Sequence, residues 1–315
     1  MSGFAYAVKD GHAQEIDLHE APHHQADLVW LHLCVSNAEA EAWLTEQANL
    51  PDYAIDGLIA AETRPRCTPM GDGALLNLRG LSQDAPAGDL LASVRIYAFA
   101  GRVYSVTRRP LESLETVKAA VAKGQIADPG DLIAEFASAI TEELDPVVAE
   151  LGDELDDCES KLDAKAAFEL RRQVNRVRIE AIGYRRFLFP QRSALEKLAA
   201  LPAGWLHDDD RLHLSSAADR AARMAEEVDS IRERAGLMHE TLTDLRSELI
   251  DQRSLVIAIA AVIFLPITFI TGLLGMNVDG IPYAHEPWAF EAVVALCALI
   301  AGAVSAYFIR QHWTR

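Results

Sequence analysis

The sequence predicts an α+β chain in which an N-terminal α/β unit gives way to long helices, the last of them running into the first of two membrane spans. Three observations carry that reading. Short strand-like stretches end near Thr107. One apolar stripe repeats at alternating intervals of three and four from Leu214 to Leu249, with no proline between His213 and Leu265. Two long apolar runs, 255–274 and 289–309, close the chain.

In chain order, 4–8, 28–35, 74–78, 93–100 and 102–106 read as strands, and 38–47 and 54–61 as helices. The pair flanking Ala100 and Gly101 predicts an antiparallel hairpin. His12, His19, His23 and His24 lie in a polar segment at irregular spacing without a partnering cysteine, which favours a solvated surface over a metal site. Cys34, Cys67, Cys158 and Cys297 form no CxxC pair, so neither a disulfide framework nor structural zinc is indicated. The sequence contains no Gly-rich phosphate loop, no GxSxG and no HExxH, and nothing else suggests an enzyme or a bound cofactor.

Beyond Leu111 the pattern is helical. Leu144, Val148, Leu151, Leu155, Cys158 and Leu162 recur at helical spacing among acidic residues. After a turn at 163–167, Leu170, Val174, Val177, Ala181, Tyr184 and Leu188 repeat the stripe beside Arg171, Arg172, Arg176, Arg178, Arg185 and Arg186. An acidic helix followed by a basic one predicts an antiparallel pair with complementary faces. His207, Asp208, Asp209 and Asp210 offer cation ligands, but such a run ahead of a helix reads first as an exposed N-terminal cap. No proline interrupts the third stripe before Leu265, so the helix continues into the first span and predicts a rod on the order of 90 Å. That stripe packs either on the preceding helices or on copies of itself.

The run 255–274 holds twenty residues without a charge, enough to cross a hydrocarbon core about 30 Å thick. In 289–309 the one acidic or basic residue is Glu291. Arg246 and Arg253 precede the first span, Arg310 and Arg315 follow the second, and the loop between carries no Lys or Arg. The positive-inside bias turns the loop outward and leaves both termini in the cytoplasm. The first residues have no signal-peptide pattern. The expected layout is an α/β subdomain at 1–110, a helical hairpin at 111–207, a stalk at 208–253, spans at 254–274 and 289–309, a loop at 275–288 and a tail at 310–315. The formal charge of −18 lies almost entirely ahead of the spans, which disfavours nucleic acid and is compatible with attracting cations.

On a helical wheel drawn back from Asn277, the positions on its side are Gly272 or Leu273, Thr268, Leu265, Ala261, Ile257 and Ser254. A pore lined this way has an apolar middle that closes to ions by dewetting, and a mouth of amides that holds a cation through its water shell. Pro266 leaves one carbonyl of the preceding turn without its usual donor.

The segment IFLPITFITGLLGMN, a short outward loop, a second span and a short tail resemble the CorA superfamily of divalent-cation transporters, whose mark is Gly-Met-Asn at the end of the first span. The continuation Val278, Asp279, Gly280, Ile281, Pro282 is similar to the GMNVGGIP form of the zinc-transporting ZntB branch, and RRFLFPQRSALEKL from Arg185 also resembles it. The resemblance implies an inner-membrane homopentamer with a cytoplasmic α/β/α funnel and five first spans around an axial pore. It makes Gly275, Met276 and Asn277 the entry filter, and Thr268, Leu265, Ala261, Ile257 and Ser254 the pore lining. Its implied activity is Zn²⁺ uptake driven by a proton gradient. Asp279 departs from the branch, where glycine stands, and could add a ring of carboxylates at the entry. The tail RQHWTR is far less basic than the lysine-rich end of the magnesium branch. Two other readings stay open: a Mg²⁺, Co²⁺ or Ni²⁺ channel, and a membrane-tethered scaffold whose coiled helix recruits partners.

Overall fold

The computed structural model describes all residues except 1, 36–37, 61–63, 85–89, 164–165, 278–279, 282, 284–285 and 313–315. The chain divides into two units, one formed by 1–162 and 169–239, the other by 163–168 and 240–315.

The first unit is built on a seven-stranded sheet: β1 Ser2–Lys9, β2 His12–Ile16, β3 Leu28–Cys34, β4 Arg66–Met70, β5 Gly73–Leu81, β6 Leu91–Phe99 and β7 Arg102–Thr107, in the order β2-β1-β3-β7-β6-β5-β4. Every neighbouring pair is antiparallel except β3 with β7, where two meanders meet side by side. The central position of β3 follows from its sequence: in LVWLHLC six of seven residues are buried, so both faces need a covering layer. One face is covered by α1 Ala38–Glu46 and α2 Asp52–Ile59, whose Trp43, Leu44, Ala54 and Leu58 join Leu31, Leu33, Leu75 and Tyr97 in one core. On the other face Trp30 meets Phe136 edge-on at 5.7 Å, and α3 Ser113–Ala122 and α4 Pro129–Ser160 lie there. The result is an α/β/α sandwich.

The expected hairpin at Ala100 and Gly101 forms, with Gly101 at φ +73°. Two strands have no counterpart among the strand-like stretches, β2 and β4, which are the two sheet edges. Their burial patterns are largely exposed, so neither shows an apolar run. A local signal is nevertheless present for β2: Asp10 and Gly11 adopt φ +50° and +73°, the pair of positive values that a two-residue hairpin turn requires.

The three long helices of this unit are α4, α5 Ala167–Ala199 and the first part of α6 Asp208–Leu274. The stripes read from sequence are buried: Leu144, Val148, Leu151 and Leu155 on α4, Leu170, Val174, Val177 and Leu188 on α5, and Leu214, Ala221, Val228 and Met238 on α6. The exceptions are Leu162, half exposed just past the end of α4, and Leu245 and Leu249, which are only partly buried. Ion pairs set the register. Arg176 of α5 reaches Glu154 of α4 at 2.8 Å, Arg220 of α6 reaches Glu142 at 3.2 Å, and Arg234 reaches both Asp156 and Glu159. Residue numbers rise together between α4 and α6, which are therefore parallel. The acidic flank of α4 is thus shared between two basic partners. The α6 stripe is buried within its own chain up to Leu242. Pro146 and Pro190 are accommodated inside α4 and α5 without ending either helix.

His32 sits at the centre of the sheet, 3 % exposed, with Nδ1 2.8 Å from Ser105 Oγ and Nε2 3.3 Å from Thr107 Oγ1, while Trp30 Nε1–H donates to Ser105 Oγ at 2.8 Å. Burial, helped by the nearby Lys118 ammonium, pushes its pKa down to about 3. A depressed imidazole contributes stability that is complete above its unfolded pKa near 6.5 and is lost as pH falls toward 3. Between pH 7 and pH 5 the full-length protein is expected to lose about 2 kcal/mol more unfolding free energy than His32→Gln. Chemical unfolding of both at the two pH values checks this, and equal losses would show that His32 charges without cost.

Candidate functional site

The second unit contains the remainder of α6, the connecting segment and α7 Ala289–His312. Both helices contain a stretch long and apolar enough to cross a membrane. In a bilayer the backbone must satisfy its own hydrogen bonds, which an unbroken helix does. Pro266 lies inside α6 and does not end it. One turn on, Thr271 Oγ1 donates to the carbonyls of Ile267 at 2.9 Å and Thr268 at 3.2 Å, keeping its hydroxyl satisfied within the helix.

The face drawn from sequence is a face of α6: Ser254, Ile257, Ala261, Leu265 and Thr268 follow one another at helical spacing, and all five are exposed in the single chain. The half-buried positions, Leu255, Ile259, Ile263, Ile267 and Ile270, lie on the other side. Leu265 is 76 % exposed and Ile257 70 %, values for which a lone helix in one chain has no apolar cover. At the end of α6, Gly275 N–H still donates to Thr271 O at 2.9 Å, the last turn of the helical ladder. A Cβ on Gly275 would approach that same carbonyl to 2.9 Å, so the tight ending favours glycine. Met276, 48 % exposed, and Asn277 follow outside the helix, both open to their surroundings. Asp279 lies outside the described residues. In the same connection Gly280 and Tyr283 take φ +98° and +64°, and the Tyr283 and Trp288 rings meet at 5.4 Å.

A family model described as a CorA-like Mg²⁺ transporter protein matches residues 25–310. The chain belongs to this family. It is therefore a membrane transporter of divalent cations. The zinc transport protein ZntB of Cronobacter sakazakii is 32 % identical over 288 residues, covering 90 % of this chain and 87 % of the relative. The full-length CmaX protein superposes with a TM-score of 0.78 at 28 % identity, covering 99 % of this chain and 98 % of that one. The CorA magnesium transporter of Methanocaldococcus jannaschii gives a TM-score of 0.81 at 18 % identity over 99 % of this chain, a likeness of fold.

The first unit brings together a second group that the sequence divided. The acidic run forms the first turn of α6, and Asp210 reaches back to its start: His207 N–H donates to Asp210 Oδ2 at 2.7 Å. Asp208 and Asp209 are exposed, but Asp210 is 2 % exposed, which corrects the expectation of a solvated run. Asp128, the N-cap of α4, accepts from Gly130 N–H at 2.8 Å and Asp131 N–H at 3.0 Å through Oδ1, and its Oδ2 lies 2.9 Å from His207 Nδ1. Burial, with Asp128 and Asp131 close by, raises the Asp210 carboxyl above its usual range despite the His207 N–H. Asp128 and Asp210 are 82 residues apart, and no local pattern joins them. His207 and Asp128 also line a cavity of about 790 Å³ together with Asp27, Asp72 and Trp205.

Proposed function

We propose that the chain mediates Zn²⁺ uptake across the inner membrane as a homopentamer, with five α6 helices around an axial pore, both termini in the cytoplasm and the 275–288 loop outside. The observation that carries this reading is the exposed face of α6 leading to Gly275, Met276 and Asn277. An apolar, hydroxyl-edged face with no cover in one chain is what copies of the same helix would enclose. A ring of Asn277 amides at the mouth holds a cation through its hydration shell, Thr268 offers a hydroxyl ring one step inward, and Leu265, Ala261 and Ile257 form the apolar constriction that water must fill before an ion passes. Ser254 stands at the inner end. The zinc assignment is supported by the ZntB relative and by the Val278 to Pro282 continuation.

The pore face holds no ionisable side chain, so proton coupling, which belongs to this reading, must act through groups outside 254–274. The same observation favours a second reading. Amides and hydroxyls suit a hydrated, oxygen-preferring ion such as Mg²⁺ better than they suit bare Zn²⁺, which prefers imidazole and thiolate. In that case the protein is a Mg²⁺, Co²⁺ or Ni²⁺ channel.

Proteoliposome flux of Zn²⁺ and of Mg²⁺, each with and without a pH gradient, separates the two. Zinc flux that rises with an inward proton gradient is the expected result; Mg²⁺ flux indifferent to pH selects the channel, and no flux for either ion removes both. Asn277→Ala is expected to abolish uptake while the oligomer, measured by light scattering, is unchanged. Normal flux in that variant would take Asn277 out of the path. Asp279→Asn is expected to raise the half-saturating cation concentration about threefold, since a carboxylate near the mouth concentrates divalent ions; an unchanged value removes that role.

A further inference from the structure

Resting on the reading of α6 as the wall of a pore, we propose that Thr271 is a positioning residue for the mouth: its hydroxyl, tied back into the helix, sets the direction in which α6 ends and so the place of Asn277 in the ring. Thr271 meets the end of the helix on both sides. Its Oγ1 donates to Ile267 O at 2.9 Å and to Thr268 O at 3.2 Å, and its own carbonyl accepts the Gly275 N–H at 2.9 Å. That carbonyl is also the atom a Cβ on Gly275 would approach to 2.9 Å. One residue therefore joins the final turn of α6 to the turn before it.

A threonine in an apolar helix commonly satisfies its hydroxyl on a carbonyl three or four residues back, and that alone would account for the Oγ1 contacts. It does not account for the contrast with Thr268. Among the described residues the Thr268 hydroxyl makes no hydrogen bond, and its side chain is exposed. Three residues apart, the two threonines thus differ in kind: Thr268 keeps its hydroxyl available to water or an ion, and Thr271 commits its own to the backbone. The added donor shares carbonyls that already accept within the helix, an arrangement that bends the axis. Pro266, one turn earlier, withholds the N–H that Val262 O would otherwise receive. Two successive turns below the mouth are therefore altered, and the Thr271 hydroxyl fixes the curvature of the second. From Thr271 to Asn277 is roughly 9 Å at helical rise, so a change of about 5° in that curvature moves Asn277 by about 0.8 Å in each chain. Across a ring of copies the opening changes by about twice as much, which alters how closely the amides meet the water shell of an ion.

The experiment compares full-length wild type, Thr271→Val, Thr271→Ser and Thr268→Val. Valine keeps the shape of threonine and removes the hydroxyl, whereas serine keeps the hydroxyl. In proteoliposomes, with whichever of Zn²⁺ and Mg²⁺ the wild type carries, Thr271→Val is expected to raise the half-saturating concentration at least about threefold while maximal flux stays within about twofold, and Thr271→Ser to restore the wild-type value. Backbone hydrogen exchange in micelles, read by mass spectrometry over 272–275, is expected to quicken at least about threefold in Thr271→Val and to stay at the wild-type rate in Thr271→Ser and Thr268→Val. Thr271→Val matching wild type in both measurements would overturn the proposal, as would Thr271→Ser failing in the same way as Thr271→Val. An oligomer lost in Thr271→Val, seen by light scattering, would make the residue a structural one and overturn it too. Wild-type vesicles that pass neither ion would remove the pore reading instead, and the exchange comparison would still decide whether the hydroxyl holds the end of the helix.

Discussion

The structure depends on one constraint: the backbone of α6 must satisfy its own hydrogen bonds along an apolar segment long enough to cross a membrane. Twenty charge-free residues meet that demand only as a continuous helix, and α6 stays continuous through Pro266. The same helix begins in a different environment. From Leu214 to Met238 it buries a narrow stripe against α4 and α5 and offers arginines to acidic partners, and from residue 255 it becomes apolar all round. Sequence pattern alone marks the change, from a three-four stripe to an unbroken apolar run. That change falls within one element, so a single helix belongs to both units.

Within the membrane unit, Ser254, Ile257, Ala261, Leu265 and Thr268 share one exposed side of α6, while Leu255, Ile263 and Ile270 share the half-buried side. The ending at Gly275 is set by a backbone approach that a larger side chain would disturb, and it delivers Met276 and Asn277 outside the last turn. The side chain that follows the helix, Asn277, offers an amide rather than an imidazole. In the first unit His207 stands between two carboxylates.

Much of this was legible in the sequence, for reasons that differ by element. Long helices and spans announce themselves because burial on one side or all sides leaves a periodic record over many residues, as in the α4, α5 and α6 stripes. The buried strands β3, β5, β6 and β7 were readable as apolar runs. The edges β2 and β4 were not, since an edge strand is half solvated and HAQEI carries no alternation strong enough to notice; the Asp10-Gly11 turn was the available clue. The cluster of Asp128, His207 and Asp210 was illegible for another reason. Its members cap two different helices, and only the parallel packing of α4 and α6 brings Asp128 beside His207 and Asp210. The run of aspartates suggested solvent exposure by composition, whereas Asp210 is buried because the α4 N-terminus closes over it.

Central to the account is that the 254–268 face of α6 borders water inside an assembly while the opposite face does not. Single cysteines placed in turn at each position from 254 to 274, in a variant lacking Cys34, Cys67, Cys158 and Cys297, test it through their rate of reaction with a membrane-impermeant thiol reagent in reconstituted vesicles. The account predicts fast reaction at 254, 257, 261, 265 and 268 and slow reaction at 255, 259, 263, 267 and 270. A uniform profile, or one with the two sets exchanged, would contradict it.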